Sequence, residues 1–113
     1  RRDAIDKFRS LSAEDQVSLY LWELQHTRPV ASPYEFLLKE KGSEVARPLL
    51  EAANLSDGYL VQTALLATIA GLREQDRKTL PEVQLRSAIE RCKSLAGHTD
   101  DRQCVAYERD LLP

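Results

Sequence analysis

Methionine is absent from this chain, and histidine, cysteine, glycine and aromatic residues are all scarce. The sequence opens at Arg1 with no methionine, so it reads as a processed protein or a trimmed piece of a longer one. No apolar leader precedes the first charged residues, and any signal peptide is expected to have been removed. The four glycines, Gly42, Gly58, Gly71 and Gly97, are isolated from one another, which excludes a phosphate-cradling loop. Two histidines, His26 and His98, leave little material for general acid–base chemistry. Carboxylates such as Glu14 and Asp15, Glu40 and Glu44, or Asp100 and Asp101 read as helix caps or solvated faces. Basic runs interleaved with aromatics are missing, which argues against nucleic acid as a partner. A polybasic or strongly amphipathic membrane-binding stretch is missing too. The one uncharged apolar run, residues 59–72, is shorter than the roughly 20 residues that a membrane span requires.

What is present is ordinary globular material. The chain has 113 residues, with 42% hydrophobic and 30% charged, which is enough to bury a core and too apolar for disorder. A single domain over residues 1–113 is expected. The run at 59–72 (YLVQTALLATIAGL) has only Gln62, Thr63 and Thr68 as polar members. A helix apolar around most of its circumference belongs inside a core with neighbours on several sides. This is the segment around which the rest is expected to fold.

The flanking segments also read as helices. Residues 2–9 place Ile5 and Phe8 on one face, with Asp3 and Asp6 in the first turn. Ser12 then caps a helix from Ala13 to about Thr27. Val17, Tyr20, Leu21 and Leu24 form its inward face, and Leu19 and Trp22 widen the apolar arc toward a second neighbour. Arg28-Pro29 ends it. Ser32-Pro33-Tyr34-Glu35 starts a short helix with Phe36 and Leu37 inward, stopped by Gly42. Ser43 is expected to cap a helix over residues 44–53 that buries Val45, Leu49, Ala52 and Ala53, with Pro48 kinking it or marking a later start. Residues 54–58 are turn chemistry. The polar stretch 73–79 reads as a solvated helix end and loop. Thr79-Leu80-Pro81-Glu82 restarts a helix striped with Leu85, Ala88, Ile89, Cys92, Leu95 and Ala96, and Gly97 stops it. Thr99-Asp100-Asp101 opens a last helix with Cys104, Val105, Leu111 and Leu112 on one side. The expectation is all-α, with six or seven antiparallel helices.

Residues 47–72 (RPLLEAANLSDGYLVQTALLATIAGL) resemble a single HEAT-type repeat. Pro48, Leu49 and Leu50 stand at the first-helix positions, Asp57 in the turn, and Val61, Ala64, Leu65 and Leu72 at the second-helix positions. Gln62 departs from the pattern, where the family usually carries arginine, and no second copy follows at a fixed period. The resemblance implies a helical hairpin used for binding.

Cys92 and Cys104 both fall on apolar stripes. They read as a disulfide in an oxidising compartment or as core thiols in the cytosol, and His98 between them offers a third ligand for zinc. The bond would close a loop of about a dozen residues and contribute roughly 3 kcal/mol. No cofactor is expected. Tyr20, Trp22 and Tyr34 are candidate partner anchors, because tyrosine and tryptophan dominate interface hot spots. Arg73 and Arg77 offer charge to the same partner. The favoured reading is a non-enzymatic helical module that binds another protein, in the manner of an inhibitor, immunity protein or adaptor, with a periplasmic or secreted home. The alternatives are a regulatory or structural domain of a larger cytosolic chain, and a small thiol- or metal-dependent enzyme using His98.

Overall fold

The computed structural model describes residues 2–26, 33–97 and 100–113. Among the described residues eight α-helices follow one another: α1 (Arg2–Ser10), α2 (Ala13–His26), α3 (Pro33–Leu38), α4 (Ser43–Leu55), α5 (Tyr59–Ala70), α6 (Glu74–Arg77), α7 (Glu82–Ala96) and α8 (Arg102–Leu111). A 3₁₀ turn, Lys39–Lys41, continues α3, and no strand occurs among the described residues. The protein is all-α. The expected boundaries at Arg28-Pro29, Ser32 and Thr99 lie outside the described residues.

α5 is central, packed by α2, α4, α7 and α8. Leu65, Leu66 and Ile69 are fully buried, as are the polar Gln62 and Thr68, and Thr63 is buried too. The two threonine hydroxyls and the Gln62 amide nitrogen find partners inside, while Gln62 Oε1 is buried with none among the described residues. The Thr63 hydroxyl donates to Tyr59 O at 2.9 Å, and the Gln62 amide donates to Ala88 O on α7 at 2.9 Å. Thr68 Oγ1 donates to Ala64 O and meets the Tyr20 hydroxyl at 2.8 Å, so the phenol is the donor to Thr68. A buried hydrogen bond nets about 1 kcal/mol, but an orphaned partner costs about 1–3 kcal/mol, so these contacts fix which helices face α5. The helix ends at Ala70, two residues before the expected limit.

α4 and α5 form a hairpin, and Gln62 Nε2 also approaches Ala53 O across the turn at 3.4 Å. α4 buries Val45, Ala46, Leu49, Leu50 and Ala53 and runs unbroken through Pro48 to Leu55. Ser43 does not cap it. That position belongs to Gly42, whose φ of 61° suits glycine, and Ser43 is the first helical residue. α7 buries the expected stripe of Leu85, Ala88, Ile89, Cys92 and Ala96, with Leu95 half-buried. Thr79 does not cap α7 either, because its hydroxyl donates to Asp76 O at 2.7 Å, and Pro81 stands just ahead of the helix.

The stretch expected as a loop contains α6, and tertiary contacts account for it. Arg77 Nη1 donates to Ala70 O at 2.7 Å and Leu72 O at 3.3 Å, closing the C-terminal end of α5. Asp76 is buried with its carboxylate against Gly42, at the positive end of α4.

Several apolar residues face the other way from expectation. Phe36 is exposed while Leu37 and Leu38 are buried. Val105 is exposed on α8. α2 packs against α3, α4 and α5, with Gln16, Val17 and Tyr20 buried and Leu21 and Leu24 partly buried against the core, while Leu19 and Trp22 face outward. Gln16 takes an inward place because its Nε2 donates to Phe8 O at 2.8 Å, tying α1 to α2.

Candidate interaction surface

The five residues expected to form one partner surface are distributed over different environments. Tyr20 is a core residue, 2% exposed, and its hydroxyl is spent on Thr68. Burial pushes its phenol pKa up, partly opposed by the Thr68 hydrogen bond. Tyr34 is half-buried and stacks on Phe8, with ring centroids 4.3 Å apart and planes 6° from parallel. Arg77 is half-buried, with one guanidinium nitrogen committed to backbone carbonyls, whereas Arg73 is exposed. Only Trp22 and Arg73 remain fully available at the surface.

Trp22 is 54% exposed and stacks on His26 at 4.5 Å. His26 Nδ1 also bonds to Trp22 O at 2.9 Å. Two contacts therefore hold the indole and imidazole as one plate on the outside of α2. Leu19 stands one turn earlier, so Leu19, Trp22 and His26 follow i, i+3 and i+7 along one outer ridge. Phe36, 67% exposed, lies on α3, which packs against α2. The Lys39 ammonium sits 5.8 Å from the centre of its ring, a cation–π contact.

The sequence pattern places Leu19 and Phe36 in the interior, yet α2 itself carries a signal against this for Leu19. A helix in a small domain buries a stripe about 100° wide, and α2 carries more apolar residues than one such stripe can hold.

Cys92 and Cys104 come together as expected from their stripes. Both are fully buried, and their Cα atoms are 5.7 Å apart, which is disulfide distance. The third proposed zinc ligand, His98, lies outside the described residues. Among the described residues no three metal-ligating side chains gather, and no helix is long and apolar enough to cross a membrane.

Two surface depressions stand away from α2. One, of about 390 Å³, is lined by Arg77, Glu82, Leu85 and Leu111 among others, and its charges include both signs. The other, of about 330 Å³, lies between α4 and α7 and is lined by Glu51, Asn54, Leu55, Gln84 and Ser87. No family model matches the chain, and neither a curated protein nor a solved structure matches it.

Proposed function

We propose that this chain is a non-enzymatic helical module that binds another protein through the outer face of α2 and the neighbouring Phe36. The observation that carries this reading is Trp22. A tryptophan held rigid by a stacked histidine and left more than half exposed loses little conformational freedom on binding. It also removes a large apolar area from water. Phe36 and Leu19 add apolar area on the same two packed helices, and aromatic anchors of this kind carry most of the energy at interfaces. The likeness of residues 47–72 to a HEAT-type repeat supports the same class of function, since such repeats act as binding scaffolds. Cysteines at disulfide distance support an oxidising compartment, in keeping with an exported inhibitor, immunity protein or adaptor.

The test is partner capture from the native host by the wild-type protein and by a Trp22→Ala, Phe36→Ala variant of unchanged helicity. A partner retained by the wild type and lost by the variant is the expected result. Identical capture by both overturns the reading.

A further inference from the structure

The two helices that carry Trp22 and Phe36 are acidic, with no lysine or arginine of their own to balance them. α2 holds Glu14, Asp15 and Glu23, and α3 holds Glu35. The whole chain has 18 acids against 16 bases, so 14 acids meet 16 bases over the remaining sequence. Charge is therefore segregated, with these two helices negative and the rest slightly basic. The connecting Arg28 lies outside the described residues.

Helical spacing sets the acids around the aromatic anchor. Asp15 stands one turn before Leu19 on the outer ridge that runs through Trp22 to His26, at i, i+4, i+7 and i+11. At about 100° per residue, Glu14 and Glu23 fall on opposite borders of that ridge. Glu14 and Asp15 are exposed, and no cation pairs with either among the described residues. Elsewhere on the surface acids do find cations. Glu82 meets Arg86 at 2.9 Å, and Glu108 meets Lys93 at 3.2 Å. Burial is the main cause of the raised Tyr20 pKa, and Glu35 and Glu23 add to it, which sets both carboxylates near the α2–α3 seam.

An apolar ridge with acids along it and beside it selects a partner that is apolar in the middle and basic at its edges. From Asp15 to His26 the ridge is about 16 Å long, three turns of helix. No strand occurs among the described residues, so they offer no sheet edge for a partner strand to extend. A straight helical ridge is instead suited to a second helix laid along it.

We propose that the α2–α3 face receives a cationic amphipathic helix of the partner protein. Its aliphatic stripe lies on Leu19, Trp22 and Phe36, and its flanking lysines and arginines meet Glu14, Asp15 and Glu35. This proposal rests on the interaction-module reading and names the chemistry of that module's partner. The charges supply selectivity and association rate more than affinity, since exposed pairs are screened. The same field repels anionic partners.

The test uses three blocked, tryptophan-free synthetic helices with one shared leucine stripe, flanked by lysine and arginine, by glutamine or by glutamate. Trp22, the sole tryptophan, reports binding through its emission. At low salt the cationic helix is expected to bind about tenfold tighter than the glutamine helix, and the glutamate helix more weakly still. Salt at about 0.5 M is expected to bring the three together. Glu14→Gln, Asp15→Asn, two exposed changes, is expected to weaken the cationic helix alone, by about threefold. Equal binding of the three helices at low salt, or none by the cationic one, overturns the proposal. A shift in Trp22 emission on concentrating the protein alone assigns the face to a second copy and overturns it too. If charge makes no difference while Trp22→Ala, Phe36→Ala still abolishes native capture, the charge assignment fails and the module reading stands. Identical native capture by the wild type and that variant overturns both.

Discussion

α1 and α8 are both polar terminal helices that bury one side chain each, Phe8 and Cys104, yet they are attached by different means. α1 is held by packing and polar contacts. Phe8 stacks on Tyr34, its carbonyl accepts from Gln16, and Arg9 grips Glu40 through two bonds of 2.9 Å. α8 has its one buried residue at disulfide distance from α7, supported by Lys93 at 3.2 Å from Glu108. The difference shows what a short polar helix needs in order to stay docked. α1 relies on a large aromatic set into a prepared socket, and α8 on a covalent tie beside the partly buried Tyr107 and Leu111.

The largest expected effect is on the packed end. Phe8→Ala empties a fully buried socket and removes a stacked pair, and it should cost about 3–5 kcal/mol in chemical denaturation. A cost under about 1 kcal/mol would mean that α1 is held by its ion pair rather than by its aromatic. At the other end, replacing both Cys92 and Cys104 by alanine should cost about 3 kcal/mol, the loop-closure value for a bridge spanning 12 residues. Reductant should destabilise the wild type in the same direction, leave the double variant unmoved and spare the docking of α1. Protein isolated without reductant should show no free thiol and a mass two hydrogens below that of the reduced chain. Two free thiols would dissolve the contrast between the ends.

The smallest effects are electrostatic and opposite in sign. Arg9 holds the Glu40 carboxyl below the usual carboxylate range. Its contribution is therefore present above that range and is lost as pH falls through the lowered value. Glu108 raises the Lys93 pKa, so the contribution at α8 is present below the usual lysine range and lost as pH rises through the raised value. Amide exchange should accordingly loosen α1 first in acid and α8 first in alkali, by small amounts, because exposed pairs are screened. Glu40→Gln should remove the acid sensitivity of α1, and α1 retaining it would point to another carboxylate.

Much of this architecture is legible in the sequence, for local reasons. The uncharged run at 59–72 demands a central place, and Gly42 and Gly97 end their elements at φ values of 61° and 63°. The stripe of α7 needs only its spacing to be read. What escapes is set by distant partners. α6 forms where Arg77 closes α5 and Asp76 meets Gly42, and neither contact has a signature in the polar string of residues 73–79. Tyr20 is an interface residue by type and a core residue by its bond to Thr68, 48 positions away. Residue type marks Trp22 as a candidate anchor but not Leu19 or Phe36, because hydrophobicity alone does not say which of two apolar sides of a helix is covered. The α4–α7 groove depends on Asn54 reaching Gln84, 30 residues on, and no motif announces it.

The proposed binding face depends most on Trp22 standing at the surface of the folded protein as a rigid, solvent-exposed anchor. Trp22 is the sole tryptophan, so its fluorescence reports on that point alone. In dilute native protein, acrylamide should quench it readily and its emission should lie at the red, solvent-exposed end of the tryptophan range. A blue-shifted emission that resists the quencher would place the indole in the core and contradict the proposed binding face.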